Sequence, residues 1–177
     1  MGNQFAIDVT AIRDDAREKM SAGAVTKGNR SPVDRVVEVL DAVLATEIVC
    51  YLRYTQNAIT ASGIHSARVA AEFTEHAAEE LDHGVRVAER IDQLGGTVDM
   101  DPATLAARSH TEYTTADETD LDTMLRENLV AERIVITVYQ EIIRWLGDDD
   151  PTTRTLMESL LAEEEEHADD LGDLLGH

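Results

Sequence analysis

The stretch Ala77-Ala-Glu-Glu80-Leu-Asp-His83 decides how this chain is read, together with its counterpart Ala162-Glu-Glu164-Glu-Glu-His167. Each contains a Glu-x-x-His turn, which sets a carboxylate and an imidazole on one side of a helix, one turn apart. Neither turn is isolated. Steps of three and four place Glu80 and His83 in the apolar stripe Phe73, Ala77, Val87, Ile91, and Glu164 and His167 in the stripe Met157, Leu161, Leu171, Leu174. Two further stripes carry one glutamate each. Glu47 stands among Leu40, Leu44, Tyr51 and Tyr54, and Glu132 among Leu125, Leu129, Ile136, Tyr139 and Ile143.

A buried, unpaired carboxylate costs several kcal/mol and is therefore protonated, paired or metal-bound. Four in one core need a shared countercharge, and these stripes hold neither Lys nor Arg. Two divalent metal ions would supply it, with glutamate oxygens bridging and one histidine nitrogen on each ion. Mixed carboxylate and imidazole donors with open positions favour iron or manganese over structural zinc. A single Glu-x-x-His carries little weight in a chain with 18 Glu and 6 His, but the spacing repeats. Glu47 precedes Glu80 by 33 residues and Glu132 precedes Glu164 by 32. The segment Glu47-Ile-Val-Cys-Tyr-Leu-Arg-Tyr54 also parallels Glu132-Arg-Ile-Val-Ile-Thr-Val-Tyr139, each with Tyr seven positions after Glu. The candidate ligands are Glu47, Glu80, His83, Glu132, Glu164 and His167.

Outward from these stripes, four long helices are expected at about 32–61, 66–94, 120–146 and 151–175. Ser31 is the expected N-cap of the first, and Ser62-Gly63 ends it. Gly95-Gly96 and Gly147 stop the second and third, and Asp150-Pro151 opens the fourth. The first and last pairs are joined by short connections, so each forms an antiparallel hairpin. The middle connection is long, rich in Asp, Thr and Ser, with one helical turn expected after Pro102. Two short links flanking a long one give an all-α, antiparallel four-helix bundle. Residues 1–31 read as a leader, in which Ile7, Val9, Ile12, Ala16 and Met20 fit a short amphipathic helix. Residues 32–177 read as the bundle.

The 177 residues suit one domain. The net charge is −21, from 18 Asp and 18 Glu against 13 Arg and two Lys. Such a surface repels nucleic acid and anionic membranes. Abundant Asp and scarce Lys also fit a protein that works in high salt. A lone cysteine, Cys50, excludes an intramolecular disulfide and fits a reducing cytoplasm. The first 30 residues lack an apolar segment of signal-peptide type, and the longest strongly apolar run, Ile134 to Val138, is too short to span a bilayer.

With Glu47 and Tyr54, Glu80-Leu-Asp-His83, Glu132 and Glu164-Glu-Glu-His167 in place, the chain resembles the ferritin superfamily over about residues 33–175. Within it the chain is similar to bacterioferritin and the smaller Dps-like, or mini-bacterioferritin, group. The resemblance implies a di-iron ferroxidase centre inside each subunit. It further implies Fe(II) oxidation by O2 or hydrogen peroxide, iron storage in a hollow homo-oligomeric shell, and protection against oxidative stress. Dps proteins proper build their iron site between subunits, and that ligand pattern is absent here. Leu81 stands where bacterioferritin carries a haem-binding Met, which puts haem by that route in doubt. The chain ends ten residues after His167, without the fifth helix of larger ferritins, which favours a dodecamer over a 24-subunit shell.

Tyr54 is a candidate hydrogen-bond partner or electron donor at the site, Tyr139 a weaker one; the alternative is core tyrosines with satisfied hydroxyls. Cys50 reads as a packing residue. Glu79, Glu163, Glu165 and Glu166 read as solvated charge. His76 reads as packing, with an interface or auxiliary metal position as the alternative, and Trp145 as a packing or interface anchor. Competing functions on the same bundle are a di-manganese catalase, another di-iron oxidase, and a structural or DNA-binding protein.

Overall fold

The structure is a computed structural model that describes residues 6–114 and 120–176, and those residues form helices and loops with no strand among them. The leader holds α1 (Val9–Glu18) and a 3-10 turn at Met20–Ala22. The long helices are α2 (Val33–Thr60), α3 (Ser66–Gln93), α5 (Leu121–Leu146) and α6 (Pro151–Leu175), with one short helix, α4 (Leu105–Arg108), between α3 and α5. α2 packs along α3 and α5 along α6, and the two hairpins meet through α2 against α5 and α3 against α6. This is the expected antiparallel four-helix bundle.

Local chemistry explains most helix ends. Asp120 accepts from the Thr123 backbone N–H at 3.1 Å to cap α5, and Asp150 accepts from that of Thr153 at 3.0 Å to cap α6, with Pro151 pre-set for the first turn. Gly95 and Gly147 leave α3 and α5 at φ of 80° and 50°, where a Cβ would be strained. The expected Ser31 cap of α2 is not formed. Pro32 takes the capping position, and the Ser31 hydroxyl donates instead to Asn29 Oδ1 at 2.6 Å. The hydroxyl thus acts as a donor to the amide rather than as the acceptor that a cap requires.

The long connection straps itself along α2. Arg108 pairs with Asp41 at 2.6 Å, and the His110 ring and backbone N–H both bond the Thr46 hydroxyl at 2.9 Å. Arg53 then donates to the Glu112 carbonyl at 3.3 Å and to Asn128 Oδ1 at 2.9 Å. Thus the crossover is tied to successive turns of the helix that carries Glu47.

The interior has two apolar clusters. One packs Leu40, Leu44, Val87, Ile91, Ile142 and Leu160; the other packs Tyr54, Phe73, Met124, Leu125 and Leu171. The α3 stripe is buried as expected along its whole length. On α5 and α6 the stripe drifts: Ile142 and Leu160 are buried, whereas Ile143 and Leu161 are half-buried, because a helix of 3.6 residues per turn winds away from fixed steps. Tyr51 is likewise half-buried. In α1 no residue is buried, and Ile7, Val9, Ile12 and Met20 are exposed. Residues 1–5 of the leader, and 115–119 and 177 of the expected bundle, lie outside the described residues. No helix among the described residues is long and apolar enough to cross a membrane.

Candidate metal centre

Between the two clusters lies a polar layer. α2 supplies Glu47, α3 supplies Glu80 and His83, α5 supplies Glu132, and α6 supplies Glu164 and His167, all at 2% exposure or less. The structure brings all six sequence-derived candidates together in two quartets. One is Glu47, Glu80, His83 and Glu164; the other is Glu80, Glu132, Glu164 and His167. In each, one donor atom per residue lies within 4.8 Å of the others. Glu80 and Glu164 belong to both, so they are the two carboxylates that a pair of ions could share.

The layer has approximate two-fold symmetry that follows the sequence repeat. The Tyr54 hydroxyl of α2 donates to Glu132 on α5, and the Tyr139 hydroxyl of α5 donates to Glu47 on α2. Both tyrosines are therefore partners of the lone glutamates, and Tyr139 is no weaker a candidate than Tyr54.

The histidines are held from behind in the same crossed manner. His83 Nδ1 faces Glu164 Oε1 at 3.0 Å and Glu47 Oε2 at 3.5 Å, while its Nε2 bonds Glu163 at 2.9 Å. His167 Nδ1 faces Glu164 at 3.4 Å and Glu80 at 3.6 Å, while its Nε2 bonds Glu79 at 2.7 Å. Glu79 and Glu163 thus correct the expectation of solvated charge. Each is partly exposed, but its inner oxygen fixes a histidine so that Nδ1 points inward. A carboxylate behind a histidine also raises its strength as a metal ligand. The signal was in the sequence as the doubled Glu79-Glu80 and Glu163-Glu164. Glu163 is itself held by Arg86 at 2.9 Å.

A second correction concerns buried cations. Arg53 is 1% exposed, although it lies beside the expected stripe rather than on it. Its guanidinium is taken up by Asn128, the Glu112 carbonyl and Cys50, and bonds none of the central glutamates. Arg53 is therefore no direct counter-ion of the central carboxylates. Cys50 is buried as a packing residue, and burial pushes its thiol up to about 12, against the opposing pull of Arg53.

Electrostatics show what this layer lacks. Five carboxylate oxygens (Glu47 Oε2, both oxygens of Glu80, Glu132 Oε2 and Glu164 Oε2) and His167 Nδ1 have no hydrogen-bond partner. Burial and the charge of Glu164 push Glu80 well above the usual carboxylate range, and the same two causes raise Glu132. Burial opposes ionisation of Glu164, but hydrogen bonds from His167 and His83 outweigh it and hold that carboxyl low. Burial also disfavours charged histidine; bonds to Glu164 and Glu47 nevertheless lift His83 to about 11, and Glu164 lifts His167 to about 9. The metal-free layer therefore stores protons where cations would sit. Fully deprotonated, four carboxylates and two neutral imidazoles carry four negative charges, which two divalent ions cancel. Unpartnered oxygens around two shared positions, with one inward imidazole each, fit a pair of iron or manganese ions.

An antiparallel bundle with one long crossover, two lone glutamates and two Glu-x-x-His turns converging at its centre has the arrangement of the carboxylate-bridged di-metal proteins. The chain belongs to the ferritin family, its residues 37–177 matching the ferritin-like domain. It is 29% identical over 136 residues to a Pyrococcus furiosus protein described as a DNA protection during starvation protein, covering 76% of this chain and 74% of that one. Among solved structures, the bacterioferritin-related dodecameric thioferritin of Bacteroides fragilis superposes with a TM-score of 0.80 at 35% identity, over 83% of this chain and 88% of that one. A ferritin-like, diiron-carboxylate protein of Bacillus anthracis gives a TM-score of 0.67 at 26% identity, over 85% and 99%. These neighbours place the chain in the Dps-like, bacterioferritin-related group.

Proposed function

We propose that this protein is a ferroxidase that stores iron and removes its oxidants. Residues 32–177 form the di-iron bundle and 1–31 a leader. The observation that carries the reading is the pair of quartets sharing Glu80 and Glu164, with six unpartnered donor atoms turned into them. Glu47 and His83 would hold one ion, Glu132 and His167 the other, and Glu80 and Glu164 would span both. Two Fe(II) ions there supply two electrons, which reduce peroxide to water or O2 to peroxide.

The chain's own part is to hold and orient. Tyr54 and Tyr139 fix the planes of Glu132 and Glu47 by donating to one oxygen each, which leaves the other oxygen free. Glu79 and Glu163 keep the outer histidine nitrogens protonated, so Nδ1 is the ligating atom. Burial excludes bulk water from the layer.

Oxidised iron is stored, in this reading, inside a homo-oligomeric shell of cytoplasmic chains, for which the dodecameric Bacteroides fragilis relative is the precedent. The Pyrococcus furiosus relative's name links it to DNA protection. At a net charge of −21, this chain would protect DNA by removing iron and peroxide rather than by binding a polyanion.

Anaerobic apoprotein titrated with Fe(II), then exposed to O2 or peroxide, tests the reading. Saturation at no fewer than about two ions per chain and rapid oxidation are expected. Saturation well below that with all six side chains intact removes the centre. Metal analysis with a catalase assay separates the di-manganese catalase alternative, which requires manganese and O2 release from peroxide. Particle mass tests the shell.

A further inference from the structure

Beside the central layer, on the side where α3 meets α6, lies a second group of donors that the two-ion centre does not use. Glu72 and His76 stand one turn apart on α3, and Asp170 faces them from α6. His76 is 1% exposed, yet neither ring nitrogen has a hydrogen-bond partner. Its Nε2 lies 3.5 Å from Glu72 Oε1 and 3.7 Å from Asp170 Oδ2. These separations are long for hydrogen bonds. They lie close to the roughly 3.0–3.5 Å that separates two ligands each about 2.1 Å from one ion.

The ring has little freedom to turn elsewhere. It stacks on His167 with centroids 4.1 Å apart and meets the Tyr54 ring edge-on at 5.3 Å. The carboxylates have the opposite character: their side chains are 26% and 46% exposed. A closed imidazole floor beneath two solvent-reaching carboxylates forms a pocket that an ion can enter from water.

We propose that Glu72, His76 and Asp170 form a third divalent-cation site, separate from the two-ion centre and one ring-stack away from it through His167. Three protein donors leave positions for water, so the ion exchanges easily. Two oxygens and one imidazole suit a first-row divalent ion such as Fe(II). The site's existence does not depend on the two-ion centre. Its use, as a staging position for Fe(II) moving to or from that centre, rests on the ferroxidase reading.

Cobalt(II), which does not oxidise in air under mild conditions, is a suitable probe. The full-length protein is dialysed against saturating Co(II), and cobalt-soaked crystals are measured for anomalous scattering. About three ions per chain are expected for the parent, about two for Glu72→Gln/Asp170→Asn, and about one for Glu80→Gln/Glu164→Gln. An anomalous peak beside His76 Nε2 should vanish only in the first variant. The changed residues of that variant are partly exposed, so it should fold, and circular dichroism checks this. His76→Gln should weaken the third ion at least tenfold. The proposal is overturned if the parent and Glu72→Gln/Asp170→Asn bind equal amounts and no peak lies beside His76. Failure of the two-ion centre gives a different pattern: Glu80→Gln/Glu164→Gln leaves the cobalt content unchanged while the peak at His76 persists.

Discussion

Loading the centre at pH 7 should release at least about two protons per chain, one from each ligand histidine of the metal-free layer. Glu80 and Glu132 are held above the usual carboxylate range by burial and by Glu164, and His83 and His167 are raised to about 11 and about 9. Both histidines are protonated at neutral pH and must lose one proton each to become ligands, and any proton held by the two raised carboxyls adds to that count. At least one proton leaves per ion, so the affinity for each ion should rise about tenfold or more per pH unit between pH 6 and 8, or about 1.4 kcal/mol.

The perturbation is a pH series, and the probe is Zn(II), which has no redox chemistry of its own. Chelator competition gives the affinity slope. Calorimetry in two buffers of different ionisation enthalpy gives the proton count directly. The reasoning is refuted if loading both positions releases less than one proton per chain, because both imidazoles would then be neutral without a metal, against the bonds to Glu164 and Glu47 that raise them. The stability of the metal-free protein follows the same protons with the opposite sense. Groups with raised values contribute stability that is present below their unfolded pKa and lost as pH rises through the folded one. The apoprotein's melting temperature should therefore fall from pH 7 to 9 as His167 loses its proton, with the two raised carboxyls acting in the same direction.

Three further outcomes are expected. Glu80→Gln should leave the metal-free protein as stable or more so, because it replaces a buried carboxyl, whose ionisation burial and Glu164 oppose, by a neutral amide of equal size, while slowing Fe(II) oxidation by a large factor. Thermal melts in chelator and initial oxidation rates decide this, and parent-rate oxidation in both Glu80→Gln and His83→Ala would end the ferroxidase assignment. Arg90→Met should destabilise by about 2–4 kcal/mol, because Asp150, 1% exposed, would lose its guanidinium partner at 3.0 Å. Denaturant unfolding measures this, and a change below about 1 kcal/mol refutes it. The melting temperature should rise steeply towards molar salt, since 36 acids face 15 bases and screening shortens repulsion to about 3 Å at 1 M. A melting temperature indifferent to salt removes the argument for a high-salt origin.

The sequence alone determined the helices and the identity of the central residues, because both depend on local periodicity. A carboxylate in an apolar stripe is conspicuous wherever the helix goes, and a Glu-x-x-His turn defines its own geometry through the helical repeat. Gly95, Gly147, Asp120 and Asp150 act within a few residues of themselves, so the ends of α3, α5 and α6 were legible as well. Ser31 was not: as a cap its hydroxyl would accept from a backbone N–H, whereas it donates to Asn29 Oδ1, a choice that sequence does not show.

Tertiary structure decided everything that needs two helices at once. The crossed pairing of Tyr54 with Glu132 and Tyr139 with Glu47 depends on which helices are adjacent. The same holds for His83 with Glu163 and His167 with Glu79: on its own helix each glutamate lies off the stripe, and only the facing histidine makes it part of the site. Arg53 is hidden because the crossover folds over it and supplies the Glu112 carbonyl, a contact between residues 59 apart in the chain. His76 is the clearest case. Along α3 it is one more histidine near an apolar face; only the approach of α6 places Asp170 opposite it and turns an isolated imidazole into one side of a pocket. Periodicity reports which face of a helix is buried, and packing alone reports what that face meets.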